Sequence, residues 1–180
     1  MHLLTALLPA RKDRTLIRAL GEADLSAFHA YRSDEDLAKY QGWSPMSLEE
    51  ANKFIAEMTP INALRPAGWI QLAIADAQSD MLLGDVGLFL EADQSAAEIG
   101  FTLSKQAQGN GHASNAVHLS LSLIFAASSA TSVRAVTDSR NLRSVKVLER
   151  TGFSLSSVQQ ALFKGEPCTE LVYVRQRADA

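Results

Sequence analysis

The chain has 180 residues, 47% of them hydrophobic and 21% charged. That suits one globular domain and excludes a disordered chain. A net charge of −3 gives no field to hold a nucleic-acid backbone or an anionic membrane surface. The single cysteine, Cys168, excludes an intramolecular disulfide framework and a cysteine-based zinc site, and the spacing of His2, His29, His112 and His118 matches no metal motif, so no metal is expected.

The apolar start up to Pro9 is short, and Arg11, Lys12 and Arg14 follow it, whereas a secretory signal places its basic residues first. No stretch approaches the roughly 20 apolar residues of a membrane helix. A cytoplasmic protein is expected, with neither nucleic acid nor membrane as partner. Thr15–Leu20 alternates in part and ends at Gly21, which predicts a first strand. Glu22-Ala23-Asp24 opens a helix with acids at its positive end, and Leu25, Phe28 and Tyr31 or Arg32 lie on its inner face. A short helix is expected over Asp34–Tyr40, then a loop at Gln41–Pro45. Ser47-Leu48-Glu49-Glu50 is a capping box that starts a helix over Leu48–Met58.

Strands follow at Trp69–Ala75, Leu82–Leu90 and Ala96–Leu103. A glycine turn at Gln108–Gly111 leads into a helix over Ala113–Ala127. Val133–Thr137 is a strand, and Asn141–Arg150 is a helix closed by Gly152. The last two strands, Phe153–Phe163 and Thr169–Arg175, are joined by a turn at Lys164-Gly165-Glu166-Pro167. This order predicts one domain over residues 1–180, with its core at about 14–175. It is an α/β (α+β) fold, a mixed sheet of six or seven strands with helices on both faces.

Two stretches carry chemistry. In the first, the strand Glu98-Ile99-Gly100-Phe101-Thr102-Leu103 runs into the turn Gln108-Gly109-Asn110-Gly111-His112-Ala113 and then a helix. Helix-start amides lack partners and carry partial positive charge, and glycine admits a close ligand, so this reads as a site for a phosphate or pyrophosphate, or else as a tight strand-to-helix connection with no ligand. It ends in no Gly-Lys-Ser/Thr and has no third glycine, which excludes a P-loop and a dinucleotide fingerprint. In the second, Asp138–Phe153, a strand end passes into an amphipathic helix, with Val145 and Leu148 facing inward. Asn141 and Ser144, three apart, share a face and can bond an amide-bearing ligand, although Asn141 also reads as a plain helix cap.

Together these stretches resemble the GNAT acetyltransferases. Gln108, Gly111 and Ala113 match the acetyl-CoA motif Gln/Arg-x-x-Gly-x-Gly/Ala. Asn141, Ser144, Val147, Leu148, Gly152 and Phe153 match Asn-x-x-Ser-x-x-Val-Leu-x-x-x-Gly-Phe. The strand Leu16–Leu20, the run from Tyr31-Arg32-Ser33-Asp34 to Tyr40-Gln41-Gly42-Trp43, and the Ser47 helix start resemble the RimJ/RimL-like branch.

The resemblance implies a GNAT fold in which the strands before and after the glycine turn splay apart around the pantetheine arm of acetyl-CoA, the co-substrate. Amides of Gln108, Gly109, Asn110, Gly111, His112 and Ala113 would hold the pyrophosphate. Phe101, Thr102 and Leu103 would pair with pantetheine like an added strand, and an N–H near Leu103 would polarise the thioester carbonyl. Asn141 and Ser144 would contact the pantetheine or the sulfur.

Glu98 is the expected base, and its alternative is a structural ion pair. The relatives' tyrosine acid is replaced by Leu148, which leaves Ser144, water or unassisted thiolate departure. Cys168 lies after the last turn, away from both motifs, and reads as a buried small hydrophobe, so direct attack is expected rather than an acyl-cysteine route. Tyr31, Arg32 and Trp43 are candidate acceptor residues. Tyr31 also reads as core, Arg32 as a partner of Asp36, and His112 as either a phosphate contact or a solvated residue. The expected function is acetyl transfer to a primary amine, either a protein N-terminus or a small molecule. A homodimer is compatible with this reading. The absent tyrosine keeps open a non-catalytic acyl-CoA-binding regulatory domain.

Overall fold

The computed structural model describes residues 3–178, so His2 lies outside the described residues. In chain order the elements are β1 (Ala10–Lys12), β2 (Thr15–Ala19), α1 (Leu25–Arg32), α2 (Glu35–Ala38), α3 (Leu48–Met58), β3 (Gly68–Asp76), β4 (Leu82–Leu90), β5 (Ala96–Leu103), α4 (His112–Ala127), β6 (Ser132–Asp138), α5 (Leu142–Arg150), β7 (Ser154–Phe163) and β8 (Glu166–Gln176). The strands form one sheet in the order β1-β2-β3-β4-β5-β6-β8-β7. Neighbours are antiparallel except β5 and β6, which run parallel across the α4 crossover.

Local chemistry sets the boundaries. Ser47 Oγ accepts from Glu50 N, and the Glu50 carboxylate accepts from Ser47 N at 2.7 Å, so α3 starts where its capping box does. At the end of α5, Phe153 N donates to Leu148 O and Gly152 N to Glu149 O, with Gly152 at φ +80°. This Schellman closure needs a residue that tolerates the left-handed region.

Two expectations need correction. The sheet has eight strands rather than six or seven among the described residues, because Ala10–Lys12 pairs with Thr15–Ile17. The last turn is only Lys164-Gly165, at φ +51° and +81°, the pattern of a two-residue hairpin turn. Pro167 therefore lies in β8, opposite Leu162 and beyond the residues that pair with β6, where its missing N–H breaks no ladder.

Helices cover both faces, as expected. On one face α4 and α5 bury Ile99, Val117, Ile124, Leu148 and Tyr173 in the main core. On the other, α1 and α3 form a smaller core with Leu20, Phe28, Tyr31, Ala51 and Ile55 against Ala73. Alternation along β5 sends Ala97, Ile99 and Leu103 toward α4, and Glu98, Gly100 and Thr102 to the opposite face. The helices α1 and α3 cover only part of that second face, and the exposed remainder becomes a cleft.

A buried ion pair anchors this smaller core. Arg32 donates to Asp85 from Nε at 3.0 Å and Nη2 at 2.7 Å, with side-chain exposures of 3% and 1%. Tyr31 and Gln71 also donate to Asp85. The guanidinium lies 4.5 Å from the Trp43 ring and 5.0 Å from the Phe28 ring. Of the two readings of Tyr31 the core one is realised, its phenol pushed well above its ordinary pKa by burial, and Arg32 pairs with the chain's own Asp85 rather than with Asp36.

Removing one partner of a buried, hydrogen-bonded pair costs about 3–5 kcal/mol, because the other charge stays desolvated. Asp85→Ala is expected to lower the thermal unfolding midpoint by about 10 °C. A fall of only a degree or two in calorimetry would show that the pair does not anchor the core.

Candidate active site

The pairing of β5 with β6 stops early. Its register covers only Ala96↔Ser132 to Glu98↔Arg134. Beyond that point β5 stays paired with β4 as far as Leu103↔Gly84, and β6 with β8 as far as Asp138↔Glu170. Each strand keeps its outer neighbour, and a gap opens between them. Glu91 N donates to Ala96 O, and Ser104 N to Leu83 O, so the even-numbered residues turn their backbone toward β4. Phe101 and Leu103, on the alternate parity, turn their N–H and C=O toward the gap.

Gln108 closes one end of that gap. Its Nε2 donates to Leu103 O at 3.1 Å, and its Oε1 accepts from Arg143 on α5. One amide thus joins the end of β5 to α5. Gly109 and Gly111 follow at φ +82° and +83°. A Cβ at either would meet nothing within 4 Å, so the left-handed backbone demands glycine here, not crowding. Asn115 N donates to Gly111 O, and the amides of the first turn of α4 precede that bond. Lys105, Arg143, Lys146 and Arg150 line the same cleft. Aligned amides, a helix N-terminus and several cations suit the phosphates of a nucleotide cofactor.

Of the expected cofactor residues, Phe101, Thr102, Leu103, Gln108, Gly109, Gly111, His112, Ala113, Asn141 and Ser144 line this cleft. Asn110 does not; its Nδ2 donates back to Gln108 O at 3.3 Å. The His112 side chain is neither solvated nor aimed at a ligand. It is buried, with Nδ1 2.9 Å from Thr15 Oγ1, which also accepts from Asn115. Asn141 Oδ1 accepts from Ser144 N, so the helix-cap reading is realised, and the residue still borders the cavity.

A second cleft occupies the open sheet face. Trp43, Trp69, Gln71, Glu98, Arg134 and Glu170 line it. Glu98 Oε2 lies 2.6 Å from Arg134 Nε, so the predicted base is ion-paired on one oxygen. Asp138 accepts from Arg140 Nε at 2.9 Å and Nη2 at 2.6 Å, and this contact holds its carboxyl below the ordinary range.

Cys168 lines this second cleft, which corrects its expected distance from both motifs: β8 lies beside β6 and carries the thiol near Asp138. Burial raises the thiol's pKa. Of the candidate acceptor residues, Arg32 and Trp43 line the cleft and Tyr31 does not. Sequence reading missed Tyr40, Gln71, Asp138, Arg140 and Glu170 as wall residues. Asp138 and Arg140 stand immediately before the second motif, and that adjacency was the available signal. Tyr40, Gln41, Phe101 and Thr102 line both clefts and mark the seam where the two meet.

Two outcomes follow from this geometry. Gly111→Val forces a β-branched residue into the left-handed region at a cost of about 1–2 kcal/mol. It is expected to weaken acetyl-CoA binding in calorimetry by at least about tenfold while the fold is retained, the first-turn amides having moved. The His112 pKa is lowered, chiefly by burial. The folded state therefore takes up its proton less readily than the unfolded chain. The neutral ring's contribution to stability is complete above the ordinary value near 6.5 and is lost as pH falls from there through the lowered folded value. Over that range the unfolding midpoint of the wild type should fall more steeply than that of His112→Asn; parallel profiles would exclude His112 as the titrating group.

Comparison with known proteins places the architecture. Residues 14–154 match the Acetyltransferase (GNAT) domain family. An uncharacterized N-acetyltransferase, p20 of Bacillus licheniformis, is 24% identical over 143 residues, 78% of this chain and 79% of its own. A GNAT-family acetyltransferase from Bacillus anthracis superposes with a TM-score of 0.81 at 21% identity, covering 92% of this chain and 96% of that one. RimL, a ribosomal L7/L12 alpha-N-protein acetyltransferase solved with coenzyme A, superposes at 0.79 with 19% identity over 93% of this chain and 97% of its own. A spermidine N-acetyltransferase from Vibrio cholerae, solved with CoA and spermine, superposes at 0.76 with 20% identity over 92% and 96%. With most of its length matched to the domain family and its strands splayed beside a glycine turn, the chain belongs to the GNAT acetyltransferases.

Proposed function

We propose that the chain transfers an acetyl group from acetyl-CoA to a primary amine by direct attack. The observation that carries this reading is the seam. A cleft with helix-start amides and cations meets a cleft with carboxylates at Phe101 and Thr102, on the strand whose backbone faces the gap. The phosphates would rest on the amides from Gln108 to Ala113. The pantetheine arm would run along Phe101 to Leu103 and past Asn141 and Ser144. Acetyl-CoA supplies the activated acyl group.

The residues then divide the work. An ammonium acceptor must lose a proton before it can attack, and Glu98 takes it, directly or through one water. Arg134 grips one Glu98 oxygen and orients the other. The Leu103 N–H donates to the carbonyl oxygen as negative charge develops there. In the acceptor cleft the carboxylates Asp85, Glu98, Asp138 and Glu170 outnumber the guanidiniums Arg32 and Arg134, a balance that favours a cationic amine. RimL acts on a protein N-terminus and the Vibrio cholerae relative on spermidine, and we infer an acceptor of one of these two classes. We place the chain in the RimJ/RimL-like branch on its N-terminal motifs, and in the cytoplasm. Among the described residues no helix is long and apolar enough to cross a membrane.

A thiol-release assay with acetyl-CoA and a panel of N-terminal peptides, polyamines and amino acids tests the reading. Glu98→Gln is expected to lower kcat by about 10²–10⁴-fold, with acetyl-CoA affinity retained. A wild-type protein that binds acetyl-CoA but releases no thiol with any amine would instead support a non-catalytic acyl-CoA-binding role.

A further inference from the structure

When the tetrahedral intermediate collapses, a proton eases the departure of the sulfur, and α5 does not supply a tyrosine for it. Leu148 stands at that position, wholly buried in the main core. Ser144 borders the cofactor cleft only. The seam between the clefts is made by Tyr40, Gln41, Phe101 and Thr102. Of these four, only Tyr40 carries a group acidic enough to protonate a thiolate: an ordinary phenol titrates near 10 and a thiol near 8.5, whereas an amide or an aliphatic hydroxyl is a far weaker acid.

Tyr40 is also held in place. Its segment is strapped from the β7–β8 hairpin, where Lys164 Nζ donates to Ala38 O at 2.7 Å and to Trp43 O at 2.8 Å. Gln41 N donates to Ala38 O, which tightens the turn around Tyr40. On the cofactor side, Lys105 pairs with Asp34 at 2.7 Å and with Asp36 at 2.9 Å, fixing the start of α2. Two cations face the ring. Lys39 Nζ lies 5.3 Å from its centroid, and the Arg140 guanidinium 6.0 Å away.

We propose that Tyr40 is the general acid of the reaction, its hydroxyl protonating the departing thiolate at the seam. This role rests on the acetyl transfer proposed above. The amine nitrogen bonds to the carbonyl carbon, and its proton passes to Glu98. The C–S bond then breaks with its electron pair going to sulfur, and the sulfur takes the Tyr40 proton. The phenolate regains a proton from water.

The test is steady-state thiol release with acetyl-CoA and the best amine, with acetyl-CoA affinity measured by calorimetry. Tyr40→Phe is expected to lower kcat by about 100-fold or more while the affinity stays within about threefold, a split that a mere wall residue would not give. Replacing Tyr40 with 3-fluorotyrosine, a more acidic phenol, is expected to preserve the rate at neutral pH and to move the alkaline limb of the kcat profile to lower pH. That shift is specific to the residue-40 phenol, since the substitution changes no other group.

A Tyr40→Phe protein within about threefold of wild-type kcat, or one whose whole loss is matched in affinity, overturns the role. So does an unmoved alkaline limb. Wild-type turnover is measured first: its absence with every amine overturns acetyl transfer itself, whereas turnover indifferent to Tyr40→Phe overturns this role alone.

Discussion

The unfinished ladder between β5 and β6 is the constraint on which the site depends. A strand that loses its neighbour halfway exposes backbone donors and acceptors, and such groups are costly to leave unpaired away from water. Here the cost is contained because each strand keeps its outer partner beyond the point of separation. Part of the opening is closed internally, since Gln108 satisfies the Leu103 carbonyl and is itself held by Arg143. What remains is a short run of backbone with the pairing capacity of a strand and none of its usual partners. The glycine turn and the first turn of α4 lie at the end of that run. A ligand with an amide-bearing arm and a charged phosphate head meets complementary groups in the order in which they leave the sheet.

Charge is biased across this opening. Lys105, Arg140, Arg143, Lys146 and Arg150 outnumber Asp36 in the first cleft, whereas in the second Asp85, Glu98, Asp138 and Glu170 outnumber Arg32 and Arg134. The Asp138–Arg140 pair straddles the boundary, with its carboxylate lining one cleft and its guanidinium the other. Beneath the acceptor cleft, the buried pair of Asp85 and Arg32 bears on the Trp43 ring. A buried ion pair is weak evidence for net stability, but it restricts the arrangements its neighbours can adopt. It ties the loop that carries Trp43 to the sheet that carries Glu98, so both walls of the acceptor cleft share one anchor.

What the sequence disclosed and what it withheld divide along contact distance. The helix α3 and the strands β4 and β5 were legible to the residue, α3 because its capping box is a local signal. So was the glycine turn, because its glycines answer to backbone conformation. The strand β1 was not, since Ala-Arg-Lys has no alternation and is defined only by its partner. The misread side chains share one cause. Arg32 and Tyr31 find Asp85 more than 50 positions away, and His112 finds Thr15 97 positions away. Cys168 was misplaced because the order β6-β8-β7 sets the last strand inside the sheet, against the second motif. Chain proximity carries no information about such partners.

The position of Leu148 shows how fold and chemistry compete for one residue. The helix α5 is short, and it must present Asn141, Ser144 and Val147 to the cofactor cleft while anchoring itself to the sheet. Leu148 does the anchoring, fully buried beside the Schellman turn that ends the helix. A large polar side chain there would have to leave the core or bury its hydroxyl without a partner, and either change costs stability. A leucine removes that conflict but leaves this helix without a tyrosine beside the cleft. The replacement proposed above, Tyr40, stands on the opposite wall. That wall follows α2, whose start is held by Lys105 through Asp34 and Asp36, and Lys164 holds the carbonyls of Ala38 and Trp43 on either side of Tyr40. Because Lys105 itself lines the cofactor cleft, the rigidity of the seam and the occupancy of that cleft draw on the same side chain.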